Sequence, residues 1–303
     1  MMMTVQAQSR SITPSEVYKL LKPGLAGSII ITVLPGMLLG VQLPSPVLVA
    51  FTCVGTMLMA MGSFVYNQIL EIDRDARMQR TRDRPLPTGK ITPTTAYVIA
   101  ASLLCTGLFV LASGVNLLAA LIALFSFLFY VFIYTAILKT GTHLNTVMGG
   151  VAGAIGPMIG EAAVTGSVSH YGWFLFLLLF IWQPPHFWCL AIRYREDYAA
   201  AGYRMLPLVK GLRTTYNEML IFQALLVATM LLAYFPLRMV GLIFVIPAAG
   251  WGLFVWIMML RLRRQHIDNP EPPTLPVFFL TIAHMLIWHL AMAMELYFTR
   301  FAG

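Results

Sequence analysis

An all-α polytopic membrane protein with nine transmembrane helices is the fold class this sequence predicts, and three observations predict it. The chain is 59% hydrophobic and 11% charged over 303 residues, with a mean hydropathy of +0.78. A soluble domain carries roughly 25% charged residues. Apolar runs near twenty residues recur, long enough to cross a bilayer core of ~30 Å as helices. The ten-residue alternation of a transmembrane barrel is absent.

The expected spans are 24–43, 46–66, 94–113, 116–137, 146–165, 171–191, 218–236, 238–260 and 276–298. Residues 1–23 precede them as an N-terminal tail. Within it TPSEVYKL reads as a short interfacial helix, with Thr13 as cap, Pro14 in the first turn and Glu16 completing a capping box. Short connections (QLPSP, SGVN, VSHY, PLR) alternate with long polar ones. Eighteen of the twenty Lys and Arg fall in the tail (Arg10, Lys19, Lys22) or in the longer loops; the other two are Arg238 and Arg300. The positive-inside rule therefore makes the N-terminus and the long loops cytoplasmic and the C-terminus external. The net charge of +8 is explained by topology and calls for no nucleic acid.

Cys53, Cys105 and Cys189 lie far apart and form no CxxC, so neither a disulfide framework nor a zinc site is suggested. The N-terminus shows neither a cleavable signal pattern nor a long Arg/Ser-rich transit peptide, which points to a bacterial cytoplasmic membrane.

Polar groups are costly in a membrane, so clusters at span ends ask for a reason. The stretch NQILEIDRDARMQRTRDRPLP, residues 67–87, follows the second span. If the helix continues through it, Asn67, Glu71 and Asp75 share one face, and Asp73 points elsewhere. Three oxygen-bearing side chains on one face suit Mg²⁺, which takes hard oxygen ligands and bridges carboxylates to phosphates. Arg80 and Arg84 follow four apart, with Arg77 and Arg82 between turns and Lys90 beyond. Guanidinium forks match phosphate oxygens. Acids for a metal, then arginines for phosphate, read as a diphosphate site. The plainer reading is a solvated loop whose acids and arginines simply pair.

A second cluster, 183–213, ends the sixth span and offers His186, Arg193, Glu196, Asp197, Tyr198, Lys210 and Arg213. Span, acidic loop and span thus occur twice, as an internal duplication would place them, with both loops capping one central cavity. A third stretch, 138–157, holds Lys139, Thr142 and Asn145, then Gly149, Gly153 and Pro157 at spacings of four. Such small residues mean close helix packing, or else a wall against a flat substrate. No strand precedes them, so they are no dinucleotide fingerprint.

Together these stretches resemble the UbiA superfamily of intramembrane prenyltransferases and, more narrowly, its protoheme IX farnesyltransferase branch. The resemblance rests on Asn67, Glu71, Asp73 and Asp75 followed by Met78, Arg80, Thr81, Arg84, Pro85 and Leu86. It continues with Lys139, Thr142, Asn145, Gly149, Gly150 and Pro157, then Pro184, Pro185, His186, Phe187 and Trp188. It ends with Asp197, Tyr198, Ala201, Gly202, Met205, Leu206 and Pro207. Glu71 stands where Asp is commoner, and Thr140 and Gly141 stand where bases are frequent. Arg193 and Ala201 flank Asp197 where quinone-forming relatives have a second Asp, which fits the heme branch.

The resemblance implies a UbiA-type domain over 24–303, with active-site loops at 67–93, 138–145 and 192–217. It implies transfer of farnesyl from farnesyl diphosphate to a vinyl group of heme B, with addition of water, giving heme O and diphosphate. Mg²⁺ would be held by Asn67, Glu71, Asp75 and Asp197. Arg80, Arg84, Lys139 and Lys210 would contact diphosphate; His186, Tyr198, Arg193 and Asn145 would face heme. His186 could ligate iron, bond a propionate, move a proton or orient its loop. A heme A synthase is the partner the resemblance would place downstream. His284 and His289, five apart in the last span, read as packing or hydrogen-bonding residues, and Glu161 and Glu295 have no assigned role. A transporter is the rival class, but its charges would lie near the bilayer midplane, whereas these cluster at one face.

Overall fold

In the computed structural model residues 12–269 and 272–301 are described; the tail at 1–11, Arg10 included, lies outside them. Among the described residues the protein is all helix, with eight helices long and apolar enough to cross a membrane, or nine if a bent pair counts as one.

That pair comes first. Helix α1 (Pro14–Leu21) carries the expected capping box, with the Thr13 N–H donating to Glu16 Oε2 at 2.9 Å and the Glu16 N–H to Thr13 Oγ1 at 3.4 Å. Helix α2 (Pro23–Met37) follows at a bend of 40°. The joint is Lys22, whose φ of 50° is left-handed, and Pro23 cannot supply the N–H that would continue the first helix. The expected interfacial helix is therefore joined to the first expected span as one bent pair, and that span's helix ends at Met37 rather than residue 43.

Helix α3 (Pro46–Leu70) starts on a Ser45 cap and runs one turn past its apolar stretch. A one-turn helix, α4 (Ile72–Asp75), follows it. Helix α5 (Pro93–Gly114) starts on Thr92 and α6 (Leu117–Leu128) on Asn116. Asn116 also donates to Ala162 O at 2.7 Å, tying that turn to a later helix. The fourth span then continues as a π-helix, Phe129–Leu138, before the short turn α7 (Lys139–Gly141). Helices α8 (Asn145–Gly153) and α9 (Gly156–Thr165) form the fifth span. Helix α10 (His170–Arg193) gives way to α11 (Arg195–Ala200) and α12 (Leu206–Val209). The last spans are α13 (Gly211–Tyr234), α14 (Leu242–His266) and α15 (Leu275–Arg300).

Contacts run α2–α3, α3–α5, α5–α6, then through α8 to α10, α13, α14 and α15, and α15 returns to α2. The ring therefore closes. With no hydrophobic drive between helices in lipid, close backbone approach does much of the holding. A Cβ on Gly36 would stand 2.1 Å from Pro157 O, and one on Gly160 as near to Val33 O, so only glycine lets α2 and α9 cross there. Gly149 seats the Tyr134 ring and Gly153 seats the Gln183 amide, so the small residues of the fifth span pack helices rather than line a wall.

The polar residues without an assigned role tie down the end with the short connections. Glu161 accepts from the N–H of Ser169, the cap of α10, at 3.1 Å. Glu295 accepts from the Phe244 N–H in the first turn of α14 at 3.2 Å. Both carboxylates satisfy donors that a helix start leaves open and face its positive end. His284 donates from Nε2 to Ala248 O at 2.9 Å, joining α15 to α14. His289 bonds Met285 O within its own helix at 2.8 Å and stacks on Trp288, so the two histidines form no pair.

Candidate active site

The opposite end carries the chemistry. Helix α3 yields at Glu71 (φ −109°, ψ 11°), yet the Glu71 N–H still reaches Asn67 O (3.1 Å) and the Asp75 N–H reaches Glu71 O (2.7 Å). The four-residue register survives the break, so Asn67, Glu71 and Asp75 turn inward together and are buried, at 4%, 2% and 0% exposure. Asp73 is exposed.

Each acid meets a cation from elsewhere. Lys139 Nζ donates to both oxygens of Glu71, at 2.6 and 2.9 Å, and lies 4.7 Å from the Tyr203 ring centroid. The Tyr203 hydroxyl donates to Glu71 Oε1 at 2.7 Å. Arg84 Nη1 donates to Asp75 Oδ2 at 2.5 Å. Asp75 Oδ1 is buried without a partner. Burial pushes the Glu71 carboxyl up, but the Lys139 ammonium and hydrogen bonds from Lys139, Tyr203 and Asn67 outweigh it and hold the group below the usual carboxylate range. Burial raises the Tyr203 hydroxyl, against the pull of Lys139, so it stays a donor.

The π-helix supplies the third side. Asn67 Nδ2 donates to Thr135 Oγ1 at 3.1 Å, and Thr135 donates to Tyr130 O, five residues back, at 2.8 Å. The Lys139 N–H likewise reaches Tyr134 O. Wide turns of this kind gather at functional sites. Here one sets Lys139 against Glu71.

The second loop arrives differently from expectation. Asp197 does not join Glu71 and Asp75: among the described residues no three His, Cys, Asp or Glu side chains form a metal-holding group. Its carboxylate accepts instead from the backbone N–H groups of Gln79 (3.0 Å) and Arg80 (3.2 Å). That bridge latches the two polar loops together. Arg80 lies against the rings of Tyr194 and Tyr198, 5.1 and 5.5 Å from their centroids, and donates to the Tyr198 hydroxyl at 3.3 Å. Arg193 is exposed on the wall of a cavity of about 520 Å³. Lys210 is exposed after α12 and forms no ion pair among the described residues. Asn145 is fully buried and donates to Thr142 O (2.8 Å) and Arg204 O (3.1 Å) while accepting from Thr146, so it clamps loops.

His186 is sandwiched between Trp182 and Phe278, at 4.5 and 4.4 Å. Its Nδ1 is 2.8 Å from Thr281 Oγ1, whose own hydrogen goes to Phe278 O at 2.6 Å. Nδ1 is therefore the protonated nitrogen, and Nε2 keeps its lone pair.

Sequence reasoning missed Tyr203 and Thr135. Tyr203 follows Gly202, whose φ of +74° turns the chain inward, so a tyrosine after a glycine in a polar loop was the available signal. Thr135 had none, lying in the apolar run FYVFIYTAIL.

Buried acids, paired cations and this helical ring are the marks of an intramembrane prenyltransferase. Residues 29–283 match the UbiA prenyltransferase family, and the chain belongs to it. It is 39% identical over 279 residues to the protoheme IX farnesyltransferase of Leptospira interrogans, covering 91% of this chain and 95% of that one. The protoheme IX farnesyltransferase of Nostoc is 37% identical over 281 residues, 92% and 87% of the two chains. A solved UbiA homolog from Archaeoglobus fulgidus bound to DMAPP and Mg²⁺ superposes with a TM-score of 0.71 at 15% identity, covering 92% and 99%. A digeranylgeranylglyceryl phosphate synthase gives 0.72 at 20% identity, covering 93% and 98%. The protein is thus a multi-span membrane prenyltransferase of the UbiA fold.

The donor set suits a hard divalent cation. Asn67, Glu71 and Asp75 offer buried oxygens, and Asp75 Oδ1 has no other partner. Mg²⁺ is commonly held by one or two carboxylates plus substrate phosphate, so the lack of a third acid is no obstacle.

Proposed function

We propose that this chain transfers the farnesyl group of farnesyl diphosphate to a vinyl carbon of heme B, with addition of water, releasing diphosphate and heme O. The observation that carries it is the buried Asp75 with one oxygen unpartnered, beside Glu71, in a chain this similar to protoheme IX farnesyltransferases. Asn67, Glu71 and Asp75 would hold Mg²⁺, which neutralises the leaving diphosphate.

Lys139 and Arg84 already carry donors aimed into the site; on substrate binding these turn from the carboxylates to diphosphate oxygens. Breaking the allylic C–O bond leaves a carbocation that must be kept from water until the vinyl carbon attacks. Asp197 holds the arginine loop over the acids and so closes the site. The vinyl group is a weak nucleophile, so the residues that fix both substrates contribute most. His186, locked at Nδ1, offers Nε2 to heme or to the proton released as water adds. The charge asymmetry of the loops supports a cytoplasmic N-terminus and cytoplasmic active-site loops in a bacterial inner membrane. A heme A synthase would consume the product.

The test is mass spectrometry of hemes extracted from membranes expressing the chain or its Glu71→Ala/Asp75→Ala variant. A hydroxyethylfarnesyl heme is expected only with the intact acids, the variant losing at least ~10²-fold. No such heme from folded protein supplied with both substrates would overturn the acceptor, and quinone-type rings would be tried next.

A further inference from the structure

The cavity of about 520 Å³ at the charged end is not the acid site: Arg80, Arg193, Tyr194, Arg195, Glu196 and Asp197 are among its walls, and none of Asn67, Glu71, Asp75 or Lys139 is. Its charges are set for an anion. Among the described residues Arg193 and Arg195 form no ion pair, and Arg80 is held by tyrosines rather than acids. Of the two acids, Asp197 is spent on the Gln79 and Arg80 N–H groups, and Glu196 is exposed. Three guanidiniums around a space with a tyrosine wall suit paired carboxylates on a flat conjugated body.

The cavity also lies at a useful reach. Gln79 on its rim follows Asp75 by four residues, at most roughly 14 Å of chain. A porphyrin carries its propionates and vinyl groups on different edges, so an anchor here leaves a vinyl edge free to reach toward the acids.

We propose that this cavity binds the two propionates of the tetrapyrrole acceptor through Arg80, Arg193 and Arg195 and thereby aims its vinyl edge at the buried acids. This rests on heme B being the acceptor. Glu196 on the same wall puts a like charge beside the anion.

The test uses the full chain in nanodiscs with heme B, heme B dimethyl ester and farnesyl diphosphate, comparing wild type with Arg193→Gln/Arg195→Gln. Both changes are at helix ends, Arg193 closing α10 and Arg195 opening α11, and an unchanged KM for farnesyl diphosphate shows that the fold is intact. The variant should raise KM for heme B roughly tenfold or more, and the ester should behave with wild type as heme B does with the variant. Equal KM for ester and heme B with wild type would overturn the anchor and leave farnesylation standing. A rise in KM for farnesyl diphosphate instead would assign the arginines to diphosphate. An effect present only with anionic lipid would assign them to headgroups. If wild type makes no farnesylated heme, the function fails rather than the anchor. The anchor is then decided by absorbance titration with heme B alone, where unchanged affinity in the variant overturns it.

Discussion

The two polar loops begin alike and end differently. Each follows a long helix, α3 or α10, through one hinge residue in nearly the same conformation: Glu71 at φ −109°, ψ 11° and Tyr194 at φ −107°, ψ 32°. Each then makes a short helix with two acids in its first turn. The first loop buries Glu71 and Asp75 and gives each a side-chain cation. The second leaves Glu196 in the open and ties Asp197 to backbone. Burial separates the roles. A buried carboxylate shielded from water can exchange its cation for a metal; an exposed loop can serve as latch and entrance.

The largest expected effect removes a cation from the first loop. Lys139→Met strands Glu71 in an enclosed site, and breaking a buried pair costs about 3–5 kcal/mol. The denaturant midpoint of the detergent-solubilised variant should fall accordingly, and Glu71→Gln added to it should recover much of the loss. A recovery of nothing would mean that the pair is not what holds the loop.

Removing the latch should cost less. Asp197→Ala leaves two N–H groups open to solvent, about 1–3 kcal/mol at most. Its mark is kinetic: raised KM for both substrates with the Mg²⁺ dependence kept, and partial rescue by Asp197→Asn. A metal ligand would instead shift the Mg²⁺ requirement.

The smallest effect is a pH window. The folded Glu71 carboxyl lies below its ordinary value of 4.5, so its pairing stabilises fully above about that pH and is lost as pH falls through the lower folded value. The unfolding midpoints of wild type and Lys139→Met should differ at neutral pH and converge only below pH 4.5. Convergence above it would mean that Glu71 is not held ionised.

Much of this was readable in the sequence because its physics is local. The expected spans 46–66, 94–113 and 116–137 begin within a residue of α3, α5 and α6, and the period of four put Asn67, Glu71 and Asp75 on one face. What depends on distant backbone was not readable. Asp197 finds N–H groups more than a hundred residues away, and amides leave no trace in composition. Helix α13 begins at Gly211 rather than 218, because Arg213 and Glu218 depress hydropathy without breaking a helix. The bend at Lys22 hid behind an apolar count that ignores a single left-handed residue.

The π-helix before Lys139 makes the fourth span a matter of phase. Its hydrogen bonds close over five residues, so it works like a vernier that absorbs one residue per turn. A one-residue deletion between 129 and 138 that left the wide turns in place would change where Lys139 faces around the axis relative to Glu71. The span would still cross the bilayer. Its ammonium would face another neighbour, so this stretch should accept changes of side chain far more readily than changes of length.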